Sequence, residues 1–291
     1  MAGTAGSGRR TAKWVPYAMI APTLAFLLVF FVVPIFTLFK TSLSVNSGSL
    51  FVPELKFDWE WANYAAAFDE YRDQIFRSFW YALAATVIMI AMAYPLAYVL
   101  AFKAGRWKNL MLGMVILPFF VTFLVRTIAW KTILADDGVV VDVLGAIHLL
   151  PADGRLLSTP WAVIGGLVYN FLPFMVLPIY VSLEKIDPRL IEASKDLYSS
   201  AGRGFRKVIL PLSMPGVLAG SLLCFIPASG DFINAEYLGS TRTTMLGTVI
   251  QKQFLVVKDY PTAAAMSFVL MAIILVMVIA YTRALGTEDL V

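Results

Sequence analysis

Histidine and cysteine are almost missing from this 291-residue chain, which has one of each, His148 and Cys224. A single cysteine cannot form a disulfide within the chain. No His, Cys and carboxylate cluster has metal-ligand spacing, so no metal site is expected. The sequence also lacks a Gly-rich strand-turn-helix of the phosphate-loop kind and any readable set of nucleophile, base and orienting group. No catalytic chemistry and no cofactor are therefore expected in this chain. Charge is scarce too: Asp, Glu, Lys and Arg make up 14% of residues, against about a quarter in soluble domains. With 59% apolar residues and a mean hydropathy of +0.77, the composition is that of an integral membrane protein.

Six uncharged runs can cross a bilayer: Trp14 to Phe39, Ser78 to Phe102, Asn109 to Val125, Leu156 to Leu183, Val208 to Gly230 and Tyr260 to Thr282. A hydrocarbon core of ~30 Å needs about 20 helical residues. The basic residues decide the orientation. One set of connections holds Arg9, Arg10, Lys13, Lys103, Arg106, Lys108, Lys185, Arg189, Lys195, Arg203, Arg206, Lys207 and Arg283, while the other is longer and rich in Asp and Glu. The positive-inside rule places the first set, and both termini, in the cytoplasm. The net charge of +4 thus follows membrane topology and does not indicate nucleic-acid binding.

The expected organisation is a disordered cytoplasmic tail over 1–13, a six-span domain over 14–283 and a short cytoplasmic tail over 284–291. The first run, with Pro16, Pro22 and Pro34, is too long for a signal-peptide core and reads as a retained span. The loop Lys40 to Arg77, with Trp59, Trp61, Tyr64 and Tyr71 among acids, reads as a partly helical segment at the outer interface. Gly165, Gly166, Asn170, Pro173 and Pro178 are expected to break the fourth span, and Pro211, Pro215 and Pro227 to Gly230 the fifth.

Between these two spans lies a polar cytoplasmic insertion, 184–211. Asp187 can cap a helix that starts at Pro188 and ends at Gly202, about four turns later. Leu190, Ala193, Leu197 and Ala201 share one face of it, with Arg189, Glu192, Lys195 and Asp196 on others. The run Glu192-Ala193-Ser194, Tyr198 and Val208-Ile209-Leu210-Pro211 keeps the spacing of Glu-Ala-Ala, three residues, Gly, nine residues, Ile-x-Leu-Pro. In this the chain resembles the permease subunits of binding-protein-dependent ABC importers. The resemblance implies an all-α, six-span permease of the type I importer architecture, with this segment as the coupling helix that docks on a cytoplasmic ATPase. Asp187, Arg189, Glu192, Ala193, Ser194, Asp196, Leu197, Tyr198, Gly202, Leu210 and Pro211 would carry that contact. Tyr198 departs from the motif, because glycine there allows a tight turn that a bulky residue resists. The implied partners are a second permease, two ATPases that hold ATP and Mg2+, an external solute-binding protein and the bilayer of a bacterial inner membrane.

FLVRTIAW (123–130), Tyr169 to Asp187 and Pro211 to Gly239 are further similar to the spermidine/putrescine branch of these permeases. Iron(III), sulfate and phosphonate permeases are built alike, so all remain open as solutes. A polyamine pathway would offer carboxylates, amides and aromatic faces to ammonium groups. Trp130, Tyr169, Asn170, Asp231, Phe232, Glu236 and Tyr237 have that chemistry, with the two acids expected at the outer mouth. Arg126 would repel a polycation unless it snorkels outward from the end of its span, anchored by Trp130. A secondary transporter is the other class to weigh. It would show an inverted repeat and a buried ion-binding carboxylate, and neither is seen in the spans.

Overall fold

The structure, a computed structural model, describes residues 15–48, 54–147, 154–197 and 200–284. The amino-terminal tail over 1–13, residues 285–291, His148 and Tyr198 lie outside them. The first span is α1 (Val15–Leu27), a π-helical turn over Leu28–Val32 and α2 (Val33–Ser42). Its apolar side chains are almost all exposed, Phe30 and Phe36 among them. In a bilayer that surface meets lipid or another subunit instead of water.

The loop Lys40 to Arg77 is partly helical, as expected: an antiparallel pair, β1 (Ser44–Asn46) and β2 (Leu55–Phe57), is followed directly by α3 (Ala62–Phe102). α3 has 41 residues, about 60 Å of helix at 1.5 Å per residue, so roughly half of it projects beyond the hydrocarbon. Alanine is its commonest residue, at both ends of the helix, while the polar stretch from Phe68 to Arg77 is held in the helix with Ile75 buried and Tyr71 departing from helical angles. Trp59 and Trp61 remain exposed and stack with their ring centroids 6.4 Å apart.

The third run does not form one straight helix. α4 (Lys108–Ile116) passes through a 3-10 turn at Leu117–Phe120 and stops. α5 (Phe123–Ile133) then leaves at 94°. Val121 and Thr122 are extended at this break. Among the described residues five helical segments are long and apolar enough to span a membrane, and the bent pair makes a sixth. α6 (Val139–Ala146) follows, and α7 (Pro160–Glu184) is the next helix long and apolar enough to span a membrane.

α7 runs unbroken over Pro173 and Pro178, contrary to the expected break. α10 (Leu210–Ser229) likewise passes Pro215 and Pro227 without a break, and it ends at Gly230, within the stretch where a break was expected. Each proline lacks one donor, and packing against α3 keeps both helices intact. α3 offers a stripe of small buried residues, Ala82, Ala85, Ala93 and Ala97, with Met89 between them. Small side chains let membrane helices approach closely, where dispersion contacts rather than the hydrophobic effect hold them. α7 and α10 meet the same way. A Cβ on Gly216 would stand 2.5 Å from the Pro178 carbonyl oxygen, so only glycine fits that crossing.

After α10 the chain forms α11 (Ile233–Leu238) and α12 (Leu246–Lys252), then crosses finally as α13 (Tyr260–Ala284) against α2 and α3. The α11 to α12 connection is pinned to α3. Arg77 donates to the Thr244 carbonyl at 2.9 Å, and the Leu246 N–H donates to the Ser78 hydroxyl at 2.6 Å.

Candidate functional site

The insertion between α7 and α10 forms α8 (Pro188–Leu197) and α9 (Ala201–Gly204). Asp187 caps α8 as expected, its Oδ1 accepting from the Arg189 N–H at 2.9 Å. α8 has ten residues, under three turns rather than four. Gly202 does not end it: it sits inside α9, from which the chain continues through a π-helical turn, Phe205–Ile209, into α10. Leu210 and Pro211 open α10, and the Leu210 carbonyl accepts from the Ser213 hydroxyl at 3.0 Å.

Asp187, Arg189, Leu190, Glu192, Ala193 and Asp196 are all exposed. Ser194 is the exception, 4% exposed. Its hydroxyl donates to the Ile191 carbonyl at 2.8 Å, and a Cβ on Gly204 would stand 3.0 Å from its Oγ. α8 is therefore a polar helix that touches the rest of the chain through Ser194 and through Ile191, which packs against the core, while its described charged residues stay open. At the same end of the molecule Lys108, which opens α4, pairs with Glu184, which closes α7. The sequence marked Lys108 only as an inside charge.

The second region lies between α5, α7 and α11. Arg126 is 7% exposed, so it turns inward and does not snorkel. Its guanidinium lies 5.7 Å from the centre of the Phe123 ring, and Nη1 donates to the Asn170 carbonyl at 3.5 Å. Trp130 anchors no arginine and instead packs on Tyr169, with ring centroids 5.3 Å apart. Asn170 donates through Nδ2 to the Thr127 hydroxyl at 3.2 Å and to Asn234 Oδ1 at 3.1 Å. Asn170, Thr127 and Asn234 are fully buried. Gly166 makes room for this contact, since a Cβ there would stand 2.6 Å from Asn234 Oδ1. Arg126 Nε, Asn170 Oδ1 and Asn234 Nδ2 have no partner. Thr127 and Asn234 were not singled out in the sequence. Their only signal there is a polar residue beside Arg126 and another after the end of α10.

The acids behave differently from each other. Asp231 is buried, and its Oδ1 accepts from the Asn234 N–H at 2.7 Å at the start of α11. Burial pushes its carboxyl up to about 6, against the hydrogen bonds from Asn234 and Ala235. It supports α11 and is not an open acid at a mouth. Glu236 is exposed and pairs with Lys252 at 3.0 Å. Lys131 Nζ lies 5.9 Å from the Tyr237 ring, and Phe232 is exposed.

Residues 93–284 match the family model described as the binding-protein-dependent transport system inner membrane component. The chain belongs to that family. This membership removes the secondary-transporter alternative. Among curated relatives, the permease is 35% identical to the spermidine/putrescine transport system permease protein PotB of Haemophilus influenzae over 91% of its own length and 92% of the relative. It is also 35% identical to PotB of Escherichia coli K12, over 91% and 96%. The inner membrane ABC transporter permease protein YdcU of Escherichia coli K12 is 33% identical over 75% and 72%.

Solved structures share the architecture. A chain of a bacterial ABC transporter that imports the acidic polysaccharide alginate superposes on the permease with a TM-score of 0.69 at 17% identity, covering 95% and 96% of the two chains. A chain of the MetNI methionine ABC transporter gives 0.56 at 14%, covering 73% and 93%. At such identities these likenesses establish the fold, that of a type I ABC importer permease, and nothing about the solute.

Proposed function

We propose that this permease is one half of the translocation pore of an ATP-driven importer of spermidine- and putrescine-class polyamines. It would work with a second permease, two ATPase subunits that bind ATP and Mg2+, and an external binding protein. The observation that carries the solute reading is the 35% identity, along nine-tenths of the chain, to permeases named for spermidine/putrescine transport. The chemistry of α5 and α7 supports it. Trp130 and Tyr169 pack as an aromatic pair, and Tyr169 is 36% exposed, which offers a ring face to an ammonium group.

α8 is the proposed ATPase-coupling helix, cytoplasmic together with both termini. Asp187, Arg189, Glu192, Ala193 and Asp196 form its open face, and Ser194 holds it to Gly204. In this reading ATP binding and hydrolysis in the partners move α8, and α9 and the π-helical turn transmit that motion to α10. Leu197, Tyr198, Leu210 and Pro211 belong to the same segment by the motif.

ATP-driven uptake by the complete complex in proteoliposomes, supplied with its binding protein and offered spermidine, putrescine, iron(III), sulfate or a phosphonate, tests the solute reading. Polyamine accumulation that needs ATP is the expected result. Accumulation of an anion or of iron(III) with no polyamine uptake would overturn it.

A further inference from the structure

Arg126 does less for the packing of α5 than its position suggests. Thr127, Asn170 and Asn234 already tie α5, α7 and α11 through their own side chains. Of the five N–H donors a guanidinium carries, the structure gives Arg126 one hydrogen bond, at 3.5 Å, to a main-chain carbonyl. Its Nε is buried without a partner. Among the described residues no carboxylate forms an ion pair with it. An unpaired cation inside a membrane domain is costly and points to function rather than support.

The surroundings say what it could do. The Phe123 ring that carries the guanidinium packs on Phe171 at 5.7 Å, Phe171 on Phe174 at 6.4 Å, and Phe174 on Phe119 at 4.8 Å. Phe174 is 40% exposed. Arg126 therefore occupies a face of Phe123, the first of a connected series of rings, the kind of face an ammonium ion would use. α5 is a separate segment, set at 94° to the helical run before it, so it can shift without carrying α4.

We propose that Arg126 is a fixed positive charge that keeps the resting pathway tight to small cations, by holding the Phe123 ring face and repelling any free cation that approaches it. This deepens the reading of α5 and α7 as pathway helices. A tethered guanidinium seals against potassium or methylammonium as fixed positive charges exclude cations from narrow pores. A conformational change that moves α5 would lift the block during turnover.

The test uses the complete complex in vesicles without ATP, binding protein or solute, so that its outcome does not depend on which solute is imported. Passive flux of potassium, methylammonium and glycerol is measured. Arg126→Gln should raise the two cation fluxes on the order of 10- to 100-fold, from removing a unit charge roughly 6 Å away at an effective dielectric of about 20. Glycerol flux should stay unchanged, and Arg126→Lys should stay tight. A Gln complex as tight as the parent overturns the proposal. So does one that leaks glycerol equally, which would mark a structural role, or a Lys complex as leaky as Gln. If the Gln complex does not assemble, Arg126→Met, which removes the charge and keeps an unbranched side chain, decides: a cation-selective leak supports the proposal and a tight complex overturns it.

Discussion

Ser194 and Gly204 touch across the gap between α8 and α9, so closely that a Cβ on Gly204 would stand 3.0 Å from the Ser194 hydroxyl oxygen. On an otherwise exposed helix, Ser194 is buried here. The contact is one place, beside the packing of Ile191 on the core, where a force on α8 can pass into the helix that becomes α10. Gly204→Val should therefore leave the permease in the membrane at normal abundance and lower solute-stimulated ATP hydrolysis. A conservative Gly204→Ala should do so less, since the hydroxyl need move only a few tenths of an ångström. Normal stimulation in the Val variant would detach this contact from coupling.

Arg189 and Glu192 lie on the exposed part of α8 and bury nothing within the chain. Reversing them, Arg189→Glu and Glu192→Lys, should spare thermal stability and weaken association with the ATPase. The loss should be about fivefold for each partly exposed charge contact of about 1 kcal/mol. Raised salt should shrink the difference. Co-purification of the ATPase across a salt series measures it.

Orientation can be read by labelling. Cys224 is buried, and its thiol donates to the Phe171 carbonyl at 3.4 Å, so Cys224→Ser keeps a donor there and clears the background. In that chain, Glu192→Cys should react with a membrane-impermeant maleimide only in inverted vesicles, and Asp58→Cys only in intact cells. Both positions are exposed. Labelling of position 192 from outside would reverse the topology and remove α8 from the reach of an ATPase.

The Asn170 cluster carries a stability prediction. Asn170→Leu leaves Thr127 and Asn234 without their shared donor in a fully buried site. Two buried hydrogen bonds are lost, at about 0.5–1.5 kcal/mol each, so a lower melting temperature in detergent is expected even though Thr127 still donates to Asn234 Oδ1 at 3.3 Å. Gly166→Ala should lower it too, because its Cβ would fall 2.4 Å from Leu238 and 2.6 Å from Asn234.

Asp231 should make stability depend on pH. Its carboxyl, ordinarily near 3.8, is held at about 6 by burial, so the folded state takes up its proton before the unfolded chain does. Stability should fall as pH rises from about 4 to about 6, by at most roughly 3 kcal/mol. Asp231→Asn keeps an acceptor for the Asn234 N–H and should flatten that slope. An unchanged slope of melting temperature against pH between 4 and 7 would show that other groups set it.

Membrane residence, the family and the start of α8 were legible in the sequence, because each is a local property of the chain. Mean hydropathy over about twenty residues decides whether a helix can cross a bilayer. Asp187 next to Pro188 is enough to start α8. Tertiary contact alone decided the rest. Pro173 and Pro178 forecast a break in α7 that packing against α3 and α10 prevents, while Val121 and Thr122, with no comparable signal, turn the chain through 94°. Arg126 could face lipid headgroups or the interior. Asn170, 44 positions away, draws it in, and the group that fixes Asn170 is Asn234, another 64 positions on. Glu236 and Asp231, alike in sequence, part in the same way: one meets Lys252 at the surface and the other is buried under α11. A polar side chain in a membrane protein acquires its role from the partner that satisfies it, and that partner comes from a distant helix.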